Sequence, residues 1–334
     1  MIEIQSLRNV KVIDNETNDI AKIEPRRINV FLDCGTNVKQ DLIGALALGM
    51  YMRVPRSEER FGLLTKMHDD RLWLYELLED GLEMSIDGFR ISVMPAEEVR
   101  RLRFAGAVMP VGAKLESPGG NSVRALVVDI NYGSDDPEMT HTDVILDEDY
   151  IDGNTSAISL SAHEYLTSRD VEAISKTTDP ARAVSLLNQV LSLSYEKVRL
   201  EGISVKTDKF GRLRFYLSIP GIGEYGLPGK EKGLLTLTTL ALASTNNIVV
   251  LDHVEDQLYR RIHSLIGMIA ALSHSQWFIG MYNYPMLHSI LKLRPNDTML
   301  YVLTREKRDV VNIGVTKGEE FDIDHISKAI CLNG

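Results

Sequence analysis

Four consecutive apolar residues closed by an acid, Ile248-Val-Val-Leu251 and then Asp252, stand between two helical patterns. A strand so short and so apolar is buried on both faces, which requires helices above and below the sheet that holds it. The surrounding pattern repeats this logic. A helix is predicted over Glu231–Ala243 and another over Asp256–Leu272, followed by a strand at Trp277–Gly280 and a helix at Pro285–Lys292. Leu300–Leu303 and Val310–Val315 read as edge strands that close the sheet. Apolar strands alternating with helices predict an α/β fold: a mostly parallel sheet with helices on both faces.

The N-terminal part begins with alternation, Ile2 and Ile4, then Val10 and Val12, as half-buried strands do. Arg27–Asp33 reads as a more buried strand. It runs through Cys34-Gly-Thr-Asn37 into an apolar helix over Leu42–Met52. A strand, a short Gly turn and a helix are the local architecture of a phosphate-binding loop. Further on, Arg71–Glu79 reads as a helix, Glu83–Val93 as a hairpin turning at Asp87-Gly88, and Ser122–Ile130 as a strand. From Asp135 to Asp152 there are eight acidic residues and no Lys or Arg. This stretch fails the calcium-loop pattern, since Ile151 and Asp152 fall where an acid and a Gly are needed, and a solvated loop is expected instead. A helix over Pro180–Leu200 and a strand over Leu213–Ile219 complete the middle.

Composition sets the class. Of 334 residues, 44% are apolar and 25% charged, the balance of a chain that forms a core. No run approaches the length of a membrane-spanning helix, so no membrane role is expected. The opening Met1–Gln5 has neither the basic nor the apolar region of a secretory leader, and Cys34 and Cys331 are too few for a disulfide framework. A cytoplasmic setting is expected. The net charge of −10 argues against direct nucleic-acid binding by this chain alone, although Val99–Arg103 and Lys209–Arg214 form short basic runs.

The order of these stretches resembles the ABC-type ATPase heads, in particular their soluble AAA-core and SMC-like branch. The resemblance rests on the N-terminal strand-turn-helix, a signature-like helix start at Leu227-Pro-Gly-Lys-Glu-Lys-Gly233, and Ile248–Tyr259 with its strand, acid and following helix. These cover about half of the chain. The resemblance implies a P-loop fold in which residues 1–53 and 223–334 form the ATPase-like core and residues 54–222 an inserted α+β lobe. In that family a loop exposes backbone N–H groups to the β-phosphate, a Lys bridges the β- and γ-phosphates and a Ser or Thr holds Mg²⁺. Two registers are open here. Counted from Gly35 without a gap, the Lys position falls on Asp41; aligned on the helix, Lys39 is kept, the loop shortens by two residues, and Gln40 replaces the hydroxyl.

Other positions carry the same divergence. By the resemblance, Asp252 keeps the strand-end acid that helps to hold magnesium, while His253 stands where a catalytic Glu is usual and Asn283 where a switch His is usual. The signature-like residues are Leu227, Gly229, Lys230 and Glu231, with Pro228 or Lys230 displacing the Ser or Gly that would meet a partner head's γ-phosphate. Gly35, Asn37, Lys39, Gln40 and Asp41 are the remnant nucleotide-binding candidates. The resemblance thus implies a pseudo-ATPase without a cofactor, a homodimer or a heteromer with an active ATPase paralogue. The alternatives are a divergent protein that binds ATP with Mg²⁺ and hydrolyses it slowly, and an accessory factor in nucleic-acid processing. Gly221–Gly226 matches a dinucleotide fingerprint, but Pro228 interrupts the helix it needs, so loop punctuation is expected. His263 and His274 are expected on helix surfaces, and Met268, Trp277 and Phe278 in the core.

Overall fold

The computed structural model describes residues 1–8, 10–33, 36, 38–53, 77–78, 81–101, 111–120, 122–131, 140–146, 157–161, 168–194, 199–227, 233–252, 260–281 and 284–321. The chain starts with β1 (Ile2–Leu7), β2 (Val10–Asp14), β3 (Ala21–Ile23) and β4 (Ile28–Asp33), then helix α1 (Lys39–Arg53). It continues with β5 (Leu82–Ile86), β6 (Phe89–Val93), the short helix α2 (Ala96–Arg101), β7 (Val111–Glu116), β8 (Ser122–Asn131), β9 (Thr140–Leu146) and β10 (Ala157–Ser161). Helices α3 (Ser168–Thr177) and α4 (Pro180–Ser194) precede the strands β11 (Gly202–Thr207), β12 (Leu213–Ile219) and β13 (Gly223–Gly226). Helix α5 (Leu234–Ala243), β14 (Ile248–Asp252), α6 (Arg260–Leu272), β15 (Gln276–Met281), α7 (Tyr284–Leu293), β16 (Thr298–Lys307) and β17 (Val310–Lys317) complete the described order.

Among the described residues, fourteen strands form one sheet, ordered β10-β14-β15-β4-β16-β17-β2-β1-β5-β6-β7-β8-β9 with β3 beside β1. The run from β10 to β16 is parallel. Beyond it the pairs are antiparallel, apart from β17 with β2. The sheet is therefore mixed, which corrects the expectation of a mostly parallel one. Hairpin-spaced segments such as Glu83–Val93 can pair only antiparallel, because a parallel crossover needs about a dozen residues.

The parallel part has two covered faces. In β4 every residue is buried. Ile28, Val30 and Leu32 enter one core with α4, α5, α6 and α7, whereas Phe31 joins the other with Leu42, Ile43 and Leu46 of α1. β14 and β15 divide in the same way: Val249, Leu251, Trp277 and Ile279 on one side, Ile248, Val250 and Phe278 on the other. α5 is apolar nearly all round and correspondingly buried. The carbonyl ends of α6 are held by arginines: Arg27 donates to the Ser273 and Ala271 carbonyls, and Arg294 to that of Ala271.

Several boundaries differ from the sequence reading. β16 lies between β4 and β17, and β17 between β16 and β2, so neither closes an edge. The acidic stretch expected as a loop contains β9, in which Thr140, Thr142, Val144 and Ile145 supply β-branched residues. The fourth helix ends at Ser194, short of Leu200. The Asp87-Gly88 turn is as expected, with φ of +51° and +83°. Within residues 54–222, β10 joins the parallel edge beside β14, and Ile174, Leu187, Val190 and Phe215 share the core of Val30 and Leu251. Of the helix expected at Arg71–Glu79, only Leu77 and Leu78 fall within the described residues, both helical and buried.

The close contact between α6 and α7 depends on Gly267, where a Cβ would stand 2.5 Å from the Met286 carbonyl oxygen and 3.0 Å from Ser289 Cβ. Backbone cannot yield there as a side-chain tip can. Gly267→Ala is expected to destabilise the protein by about 1–3 kcal/mol despite its better helix propensity, read as a lower urea midpoint at unchanged slope.

Candidate functional site

Ligands of open α/β sheets bind outside the carboxyl ends of the strands. In the parallel run, β4 ends at that edge on Asp33 and β14 on Asp252, with β15 between them. Two strand spacings separate β4 from β14, about 9–10 Å. Only a long side chain crosses that gap, and Lys39, the first residue of α1, does so. Its Nζ lies 3.0 Å from Asp252 Oδ1, and the two side chains are 2% and 0% exposed. The crossing passes over β15 at Gly280. A Cβ there would be 2.8 Å from Asp252 Oδ1 and 3.2 Å from Lys39 Cδ, and 2.9 Å from Ile43 Cγ1.

The turn between β4 and α1 is organised by a second carboxylate. Asp33, also buried, accepts from the Thr36 amide at 2.6 Å and from the Thr36 hydroxyl at 2.7 Å through Oδ1. Its Oδ2 lies 3.5 Å from the Lys39 amide, a long contact. The Thr36 hydroxyl accepts in turn from the Val38 amide, and Arg305 of β16 donates to the Thr36 carbonyl. An aspartate at the end of a strand thus takes the amide and hydroxyl donors of Thr36 in the turn that follows it. Arg8 Nε, in a tight turn with φ +47°, lies 2.9 Å from Asp41 Oδ1 in the first turn of α1. Asp41 is buried, and Gln40 is exposed beside it.

Of the sequence candidates, the fold brings Lys39 and Asp252 together and turns Asp41 toward Arg8 rather than toward Lys39. Leu227 is a core residue whose amide donates to the Phe215 carbonyl at 2.8 Å. Gly35, Asn37, Gly229, Lys230, Glu231, His253 and Asn283 lie outside the described residues. His263, expected on a helix surface, is 4% exposed, because α6 is covered on more than its core stripe. His274 is exposed in the bend after α6. Trp277 and Phe278 are in the core as expected, and Met268 packs against it. Gly221–Gly226 spans the end of the β12–β13 turn and β13 itself, Gly221 and Gly223 having φ of +76° and +91°, so punctuation of a hairpin is what those two glycines do.

Asp33, Gly280, Arg8 and Arg305 were missed. Asp33 shares with Asp252 the signal of an acid closing an apolar strand; the other three have no signal in the sequence. The lysine charge is directed into the sheet against Asp252, and the Asp33 carboxylate places negative charge in the turn. Among the described residues, no group of three or more His, Cys, Asp or Glu converges as a metal site.

No protein-family model matches the chain, and no curated protein matches it. Among solved structures, the chain is similar to the SMC head domain from Thermotoga maritima at 13% identity and a TM-score of 0.42, covering 95% of this chain and 98% of that one. It is similar to an SMC head bound to the C-terminal winged-helix domain of ScpA at 12% identity and a TM-score of 0.45, over 95% and 98% of the two chains. A third similarity is to an SMC head with an extended coiled coil, bound to the C-terminal domain of ScpA derived from Pyrococcus furiosus, at 7% identity and 0.45, over 95% and 96%. At these values the likeness assigns neither family nor activity.

The buried pair makes a specific energetic demand. Removing one partner leaves a charge in a site without solvent, whereas removing both does not. Lys39→Met is expected to cost about 3–5 kcal/mol in urea unfolding, and the double variant Lys39→Met with Asp252→Leu to recover most of that loss. Additive losses would mean that the two side chains are not coupled.

Proposed function

We propose that this chain is a catalytically inactive ABC-type ATPase-like protein, a pseudo-ATPase that serves as a structural or regulatory subunit of a complex. One observation carries the reading: the Lys39 ammonium is buried 3.0 Å from Asp252 Oδ1, spent inside the protein on the acid that would help to hold a metal. The Asp33 carboxylate in the same turn adds to it, since it takes the Thr36 amide that a cradle would offer to a phosphate. A head of this kind keeps its architecture because two layers of core depend on β4, β14 and β15, whether or not nucleotide binds. Its partner in this reading is a second head, either another copy or an active paralogue. Among the described residues, no helix is long and apolar enough to cross a membrane.

A second reading draws on the same pair. Lys39 and Asp252 still converge at the carboxyl edge of the sheet, as a divergent, slowly hydrolysing ATPase would also require. In that case nucleotide would pull Lys39 away from Asp252.

Thermal unfolding separates the two readings. Ligand at 100 times its dissociation constant adds about 2.7 kcal/mol, which raises the midpoint of a chain of this size by several degrees. A pseudo-ATPase is expected to show no magnesium-dependent shift above about 1 °C with millimolar ATP. A rise of several degrees with Mg-ATP, absent with AMP, would defeat the pseudo-ATPase reading and favour the divergent ATPase.

A further inference from the structure

The connection between β11 and β12 is a hairpin tip held from within. Asp208 Oδ1 accepts from the amides of Phe210 and Arg212 at 2.8 and 3.0 Å, and its Oδ2 accepts from Arg214 Nε at 2.6 Å. The Arg214 guanidinium, with these amides, holds the Asp208 carboxyl down at about 2, so the clasp persists across the physiological range. What it presents is an aromatic ring beside two cations. Phe210 is 66% exposed, with Lys209 Nζ 5.0 Å and Arg212 Cζ 5.4 Å from its centroid. Elsewhere on this small sheet the bases are neutralised, Lys206 by Glu224 and Arg214 by Asp208. Lys209 and Arg212 are exposed and have no carboxylate partner among the described residues. The tip therefore carries two uncompensated charges around one apolar surface, the composition of an interface anchor.

The connection between β2 and β3 has the opposite composition. Residues 14–20 include Asp14, Glu16 and Asp19 and no Lys or Arg. Asp14 is turned into the connection, where its Oδ1 accepts from the amides of Glu16 and Thr17, each at 2.9 Å. Lys22, the next base along the chain, is paired with Glu3. Glu16 and Asp19 are exposed and have no basic partner among the described residues, and Ile20 beside them is 40% exposed. This turn is the counterpart of the Phe210 tip in charge and in apolar surface. A nucleic acid or an anionic membrane would meet the tip but leave Glu16 and Asp19 unpaired, and the net charge of −10 repels both. A second copy satisfies both turns at once. Its own net charge opposes the approach, which confines the attraction to the two turns, within a Debye length.

We propose that the hairpin tip formed by Lys209, Phe210 and Arg212 docks the turn carrying Glu16, Asp19 and Ile20 of a second copy of this chain. Phe210 packs on Ile20 while the two cations meet the two carboxylates. The contact does not rest on the Lys39 site, and its failure leaves the pseudo-ATPase reading untouched. Each copy carries both halves, so the pairing is either reciprocal about a two-fold axis or propagates head to tail. Two turns bury less than a standard interface, so the association is weak and sensitive to salt.

The test is sedimentation equilibrium of the full chain at about 100 μM, in about 50 mM and about 500 mM salt. Self-association is expected at low salt, weakened at least about tenfold by the higher salt. Lys209→Glu with Arg212→Glu, Phe210→Ala, and Glu16→Lys with Asp19→Lys should each weaken it by about the same factor. Mixing the two charge-reversed variants is the decisive arm. Each repels its own kind, but together they set an acidic tip against a basic turn and a basic tip against an acidic one, so the mixture should associate as the wild type does. Because these side chains are exposed, unchanged melting of the variants serves as the folding control. A wild-type chain that stays monomeric at low salt, variants that associate as the wild type does, or a mixture that stays monomeric would each overturn the proposal. So would oligo-dT or phosphatidylserine vesicles losing their binding when the tip is reversed while self-association is unaffected.

Discussion

A lysine and an aspartate, withdrawn from water and 3.0 Å apart, fasten the carboxyl edge of the parallel strands. Lys39 opens α1 and Asp252 closes β14, so their contact ties the helix that follows one strand to the end of a strand two places away. A buried pair of this kind is weak evidence of net stability, since desolvation offsets most of the attraction. Its effect is on specificity: with either charge missing, the remaining one has no cheap alternative, so one arrangement of α1 over the sheet is selected. Gly280 is part of the same device, because any Cβ on β15 at that point would occupy the space of the lysine stem and the aspartate oxygen.

Around this fastening the protein is divided by β4 into two cores. Its alternate residues feed opposite sides, with α1 and the antiparallel strands on one and α3 to α7 on the other. The stacking of Phe31 on Tyr301, with ring centroids 4.9 Å apart, continues the division into β16, where the Tyr301 hydroxyl donates to the Glu24 carbonyl. Burial pushes that phenol well above its ordinary range, which keeps it a neutral donor. The same rigidity that positions Asp33 and Asp252 also limits what the edge can do. The turn amide of Thr36 is taken by a side chain of the protein, so a ligand would have to displace an internal partner before gaining a contact.

Much of the architecture was legible because it rests on period and polarity. Ile248–Leu251 announced a buried strand by lacking any polar residue before Asp252, Arg27–Asp33 did so by its apolar Val30-Phe-Leu32 ahead of Asp33, and Asp87-Gly88 announced its hairpin by the positive φ that such a turn needs. The acidic stretch misled because charge was weighed above alternation, whereas Thr140–Leu146 is β-branched enough to pair with β8. β16 and β17 were placed at an edge because sequence order favours pairing of successive strands, as these two do, but does not say which further strand lies beyond them. Of the candidate site, Lys39 and Asp252 were named singly, each as what the family resemblance implies at its position.

The sequence by itself therefore determined the strands and helices of the parallel part, that its central strands are covered on both faces, and that Asp33 and Asp252 close apolar strands. Hydrophobic period and turn chemistry are local properties, and they act over a few residues. The tertiary structure alone decided that the sheet is mixed, that β15 separates β4 from β14, and that Gly280 leaves room for one side chain to reach another. It decided too that Lys39 faces inward while Lys209 and Arg212 gather around an exposed ring. Whether a charge meets solvent, a ligand or a carboxylate of its own chain depends on contacts between residues more than two hundred positions apart, such as Lys39 and Asp252. No local pattern encodes that distance.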